Sequence, residues 1–128
     1  MRSPAGRSAI ATEPTEDRSA VHEEILEKRG LTLVRRQRLE PGESTPWHRD
    51  PHHRVTVVLS GECLSIEAPD GTELARIEVR PGQVDWDEPF DSVHRGVNVG
   101  QSTYEEVAIF FLEHPDAHPQ PREEVGNA

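Results

Sequence analysis

Proline and glycine punctuate the middle of this chain at Gly30, Pro41-Gly42, Gly61, Pro69-Asp70-Gly71 and Pro81-Gly82. Glycine supplies the positive φ and proline the preset φ that tight turns need, so the chain is expected to reverse at these points. The pieces between them alternate with a period of two. Val55, Val57 and Leu59 share one face of the piece from Arg54 to Ser60, and Arg54, Thr56 and Val58 share the other. Alternation continues through Leu64 and Ile66, then Ala75, Ile77 and Val79, then Val84 and Trp86, then Val93, Val97 and Val99. It ends with Val107, Ile109 and Phe111. No stretch keeps a helical period of 3.6 residues. Roughly seven or eight short strands with glycine or proline between them predict an all-β sandwich or barrel.

The chain has 128 residues, room for one domain with its own core. Residues 1–20 carry Ser, Ala, Pro, Glu and Arg without an apolar pattern, and read as a disordered tail. The strand pattern occupies residues 21–113. Residues 114–128 hold Pro115, Pro119, Pro121 and several charges, and read as a flexible tail. Net charge is -10 with histidine neutral. Phosphate backbones and anionic lipid surfaces repel such a chain, so neither nucleic acid nor a membrane is an expected partner. The single cysteine, Cys63, has no internal partner, and Met1 to Ala20 lack the apolar run of a secretion signal. Both features predict a cytoplasmic protein.

Two segments carry most of the candidate chemistry. One starts at Gly42 and holds Trp47, His48, Asp50, His52, His53 and Arg54 before reaching Gly61. The other runs from Gly82 to Asn98 and holds Pro89 and His94. Their spacing resembles the two motifs of the cupin family. The first motif is Gly, five residues, His-x-His, three or four residues, Glu, six residues, Gly, and the chain follows that spacing at Gly42, His48, Asp50, Arg54 and Gly61. The second ends in His, three residues, Asn, which His94 and Asn98 match, although the chain runs one residue longer before Pro89 and has Asp91 where a Gly is usual. The resemblance covers about residues 21–113. It implies a single-domain jelly-roll barrel of the double-stranded β-helix type, with a small-molecule pocket in its mouth. Within the family the chain looks nearest to small cupins labelled as β-alanine degradation proteins. The resemblance also implies a homodimer, paired through strands in the segment from Val21 to Glu40.

Cupins of this kind hold a metal with two His and a Glu from the first motif and a His from the second. His48 and His94 keep two of those positions, Asp50 replaces a His, and Arg54 replaces the Glu. Two readings follow. Positions 48, 50 and 54 share one face of a strand. His48, Asp50 and His94 would then converge as the two-histidine, one-carboxylate triad of non-haem iron(II) oxygenases. Such a site takes a divalent ion, Fe(II), Mn, Ni or Zn, with His52 a candidate fourth ligand because it shares the parity of Asp50. Arg54 would anchor a substrate carboxylate, and Asp50 and Arg54 would be the catalytic candidates. Oxygenase, isomerase and lyase chemistry are all open to this arrangement. In the second reading Arg54 pairs with Asp50, no metal binds, and the pocket is a metal-free binding module for a small polar or acidic molecule.

Trp47, Tyr104 and Phe110 are candidate substrate contacts, each equally open to a core role. Asp85, Asp87 and Asp91 read as a rim or a solvated loop, and His53 reads as loop. A third reading, in which acidic rim and tails dock a protein partner, draws on no motif.

Overall fold

A computed structural model describes residues 21–125, so the expected tail over residues 1–20 lies outside the described residues, as do residues 126–128. Nine strands and no helix occur among the described residues. They are β1 (His22–Arg29), β2 (Thr32–Leu39), β3 (His48–Asp50), β4 (Arg54–Ser60), β5 (Cys63–Glu67), β6 (Glu73–Glu78), β7 (Val84–Asp87), β8 (Phe90–Asn98) and β9 (Tyr104–Phe111). They build a five-stranded sheet in the order β1-β2-β9-β4-β7 and a four-stranded sheet in the order β3-β8-β5-β6. Every pairing is antiparallel. Apart from the hairpins β1–β2 and β5–β6, each strand is followed by one in the opposite sheet. The chain therefore winds as a double-stranded β-helix, and the two sheets enclose what lies between them.

The interior is layered. Leu33, Ala108, Phe110 and Leu112 form an apolar cluster at one level, and Leu39, Val58 and Tyr104 form another. Between them the inward positions of β2, β4 and β9 are polar: Arg35, Gln37, Thr56 and Glu106 are all buried. Register explains the layering. Leu33 opposes Phe110, Gln37 opposes Glu106, and Leu39 opposes Tyr104 across the β2–β9 ladder. The alternation seen in the sequence is thus present, but on β4 and β9 the more apolar face points outward. Phe111 is 40% exposed and its ring stacks on Trp86 at 5.6 Å. Two faces that both carry apolar residues do not announce which one is inside.

Two residues fix the geometry near the site. Gly61 adopts φ 131° after β4, and a Cβ there would lie 2.8 Å from Tyr104 Cδ1. Only glycine allows this close approach and this backbone conformation together. Asn98 is fully buried. Its side chain donates to Leu39 O and Ser102 O and accepts from the Gly100 amide, at 2.9, 3.0 and 2.9 Å. A satisfied buried amide of this kind ties the end of β8 to two turns and holds that strand in register.

The segment after β9 departs from the loose tail expected of it. As far as Val125 it turns back across the barrel. Arg49 donates its amide to Pro121 O at 3.0 Å, and the Glu123 amide donates to Trp47 O at 2.8 Å, so the segment covers the outer edge of β3. Covering an edge strand satisfies backbone groups that would otherwise need water. Prolines bar this stretch from a continuous ladder, but they leave room for isolated bonds of this kind.

Candidate functional site

His48 on β3 and His94 on β8 face each other directly across the ladder. Their rings lie 4.6 Å apart, and Asp50 sits beside them on the inward side of β3. Asp50 Oδ2 is 2.7 Å from His94 Nε2 and 3.5 Å from His48 Nε2. All three side chains are buried, and their donor atoms lie within 4.8 Å of one another.

The histidines are oriented by their own backbones. His48 Nδ1 lies 2.7 Å from Pro46 O, and His94 Nδ1 lies 2.6 Å from Ser92 O. A carbonyl can only accept, so each Nδ1 carries the proton and each Nε2 is turned toward Asp50. A neutral ring then aims a lone pair at a carboxylate oxygen, and two acceptors at such a distance need a cation between them. A proton or a divalent metal meets that need. Metal–ligand bonds of about 2.1 Å place adjacent donors roughly 3–3.5 Å apart, close to the spacings seen here. The donor set therefore fits a divalent ion, with the outer ring nitrogens already held as such sites require.

The other oxygen of Asp50 is engaged elsewhere. Arg54 Nη1 is 3.1 Å from Oδ1, and Gln120 Nε2 donates to it at 2.5 Å. Arg54 also reaches Asp87 at 3.4 Å and Thr56 Oγ1 at 3.3 Å. One carboxylate thus divides its oxygens, one toward the imidazoles and one toward a guanidinium and a carboxamide. Burial alone would raise the Asp50 carboxyl. The His48 and His94 hydrogen bonds and the Arg54 charge outweigh it and hold the group far below the usual carboxylate range. Burial works against the Arg54 charge, but Asp50, Glu106 and Asp87 reverse this and keep it raised. At Asp87 burial wins, Arg54 and Thr56 offset it only in part, and the carboxyl is raised.

A lowered carboxyl contributes stability that is complete above its unfolded value of about 3.9 and is lost as pH falls below it. Metal-free protein should therefore lose stability steeply below about pH 4. Asp50→Asn should flatten that fall when urea midpoints are followed against pH. An unchanged slope would mean that acid unfolding arises from other groups.

The remaining sequence candidates separate clearly. Tyr104 walls the site cavity, and its hydroxyl donates to Glu106 Oε1. Burial first, and the Glu106 charge second, push that hydroxyl well above the ordinary tyrosine range. Phe110 is 1% exposed and belongs to the apolar layer, with the Arg35 and Arg54 guanidiniums over its ring at 5.0 and 6.0 Å. Arg35 and Arg54 wall the site cavity, and Phe110 is not among its walls. Trp47 is not a wall of the cavity. It precedes His48, so alternation turns it to the outer side, where Arg95 lies 4.4 Å from its ring. His52 does not join the triad. β3 ends at Asp50, Pro51 breaks the alternation, and His52 Nε2 comes to lie 3.3 Å from His118 O. His53 contacts Trp86 outside the site, at 3.2 Å.

Four residues complete the site without having been singled out by motif: Arg35, Gln37, Glu106 and Gln120. Arg35 donates to Glu106 Oε2 at 3.1 Å through Nη2 and to Gln120 Oε1 through Nη1. A cavity of about 70 Å³ lies over the triad, walled in part by Arg35, Arg54, Glu106 and Gln120. A second, of about 230 Å³, lies between β1, β2 and the returning segment. Arg35, Gln37, Thr45, His48 and Gln120 wall both. A signal for the β2 pair was present, because Arg35 and Gln37 share parity with Leu33 and Leu39. For Gln120 the sequence holds no signal.

No protein-family model and no curated protein matches the chain. Solved structures do. A cupin domain from Bordetella pertussis aligns with a TM-score of 0.65 at 22% identity, over 76% of this chain and 98% of that one. The polyketide cyclase RemF from Streptomyces resistomycificus aligns at 0.57 and 20%, over 84% and 73%. An oxalate oxidase in complex with the substrate analogue glycolate aligns at 0.53 and 25%, over 79% and 54%. With the winding of the strands, these similarities establish the fold: the chain is a single small domain with the double-stranded β-helix of the cupins.

Proposed function

We propose that this protein holds a divalent metal through His48, Asp50 and His94, and acts on a small organic anion beside it. The carrying observation is the convergence of two backbone-oriented imidazoles and one buried carboxylate oxygen on a single point. A bound divalent ion would supply Lewis acidity toward an oxygen of the anion. His48 and His94 keep their Nε2 atoms directed inward, and Asp50 offers Oδ2 while Arg54 and Gln120 fix Oδ1. Charge favours an anionic ligand. Buried Arg35 and half-buried Arg54 are matched by buried Asp50 and Glu106, two against two. At the edge Glu23 and Arg122 cancel as a pair, Asp87 makes the set -1, and a dication then makes it +1. A low-dielectric cavity with that balance attracts an anion. The oxalate oxidase with bound glycolate points the same way, since it places a small carboxylate on this fold. An oxidase and a cyclase both use the fold, so reaction type is left to the site.

The test is elemental analysis of tag-free protein after anaerobic loading with Fe(II), Mn, Ni or Zn. Near-stoichiometric metal is expected for the wild type, falling to background in His48→Ala and His94→Ala. A wild type that holds no metal after Fe(II) loading would overturn the proposal. One observation favours a second reading, a metal-free anion-binding module: Arg54 already pairs with Asp50. In that case chelator-treated protein would bind its anion as well as loaded protein does.

A further inference from the structure

The returning segment places one side chain inside the barrel. Gln120 donates from Nε2 to Asp50 Oδ1 and accepts at Oε1 from Arg35 Nη1. It walls both cavities, so it stands at the junction between the larger one and the triad. The two partners are the groups a ligand would want. Asp50 is the hub of the triad, and Arg35 is a guanidinium 4% exposed whose Nε has no hydrogen-bond partner. Leaving a buried N–H unpaired is costly, and it marks Arg35 as a cation with capacity to spare. Arg54 is already shared between two carboxylates, Asp50 and Asp87, and Arg35 between Glu106 and, at 3.7 Å, Glu23, but only Arg35 keeps a buried Nε without a partner.

Beside its two backbone bonds to β3, the segment that carries Gln120 is held by side-chain ties of the replaceable kind. Arg49 pairs with Glu123 and Arg122 with Glu23, all four partly exposed. The segment's packing on the apolar layer is through Ala117, a single small side chain. Exposed ion pairs contribute little, and the two backbone bonds to β3 do not involve the Gln120 side chain, which can turn aside while the segment's backbone stays in place.

We propose that Gln120 stands in for the ligand's polar head, and that Arg35 together with Asp50 Oδ1 forms the subsite this head occupies. The proposal rests on the anion-binding reading above and names its substrate class. A carboxamide presents an acceptor to Arg35 and a donor to Asp50. A small α-hydroxy monocarboxylate presents the same pair, with its carboxylate toward Arg35 and its hydroxyl donating to Asp50. A simple carboxylate lacks the donor. The cavity of about 230 Å³ has room for such a molecule. Binding requires Gln120 to withdraw, so the apparent affinity is reduced by the fraction of time the side chain is seated.

Calorimetric titration of the full-length protein with L-lactate and with propionate tests this. Lactate should bind at least about tenfold more tightly than propionate, the difference of one hydrogen bond to a charged group. Gln120→Ala should bind lactate about tenfold more tightly than wild type, as expected when a competing occupant is removed. Glu123→Ala loosens the same segment outside the cavity and should raise lactate affinity by clearly less than Gln120→Ala does. Arg35→Met should weaken lactate at least about tenfold. Should that variant not fold, the Gln120 and Glu123 variants still decide the question. The proposal is overturned if Gln120→Ala shows no lactate binding or no gain, if Glu123→Ala gains as much, or if propionate binds as well as lactate. Metal content measured on the same samples separates the two proposals. Metal retained with no gain in Gln120→Ala sinks only this one. A gain that persists without any metal sinks only the metal centre.

Discussion

Asp50→Ala should lose the metal and about 3–5 kcal/mol of stability, the usual cost of removing one partner from a buried ion pair. The size follows from what Asp50 touches. Its two oxygens serve His94, His48, Arg54 and Gln120, and it is 4% exposed. Without it Arg54 stays largely buried with Asp87 as its remaining ion-pair partner, and the imidazoles lose the carboxylate between them. Asp50→Asn keeps the shape and can still accept from Arg54, so it should cost less in stability while binding metal as poorly. Urea melts of chelator-treated samples measure the stability difference free of any contribution from bound metal. If Asp50→Ala is as stable as wild type, the Arg54–Asp50 pair is not the centre of the polar layer.

A comparable loss is expected from a residue that is not among the walls of the site cavity. Phe110→Ala should cost about 3–5 kcal/mol, because a fully buried ring leaves a cavity that its neighbours fill only in part. The ring packs with Leu33, Ala108 and Leu112 and lies under Arg35 and Arg54. Metal stoichiometry should not change, since the triad stands on β3 and β8, in the sheet opposite to β9. Denaturant midpoints and metal analysis on the same preparation check both halves. A variant that kept its stability but lost ligand affinity would return Phe110 to the role of a substrate contact.

These two residues illustrate where the sequence was legible. His48 and Asp50 could be assigned to one face because side chains alternate along any strand, whatever surrounds it. His94 and Asn98 were legible through their spacing, and the buried amide of Asn98 gives that spacing a reason. Turn positions were equally local: Gly42, Gly61, Gly71 and Gly82 all adopt positive φ. Periodicity alone cannot choose which of two mixed faces is inside, and on β4 and β9 the choice was made by the opposing sheet. It put Glu106 and Thr56 in and Phe111 out. The chemistry of Arg35 needed a second fact that no single strand contains, namely Glu106 on the neighbouring strand. Arg54 showed the same limit, since its competing roles depended on how far Asp50 Oδ1 lies from its guanidinium. Gln120 is the extreme case, reaching Asp50 across 70 residues of chain. Local pattern therefore determined strands, turns and the inward set on β3. Which polar groups meet in the barrel was decided by tertiary structure alone, because burial and pairing are properties of segments brought together from distant parts of the chain.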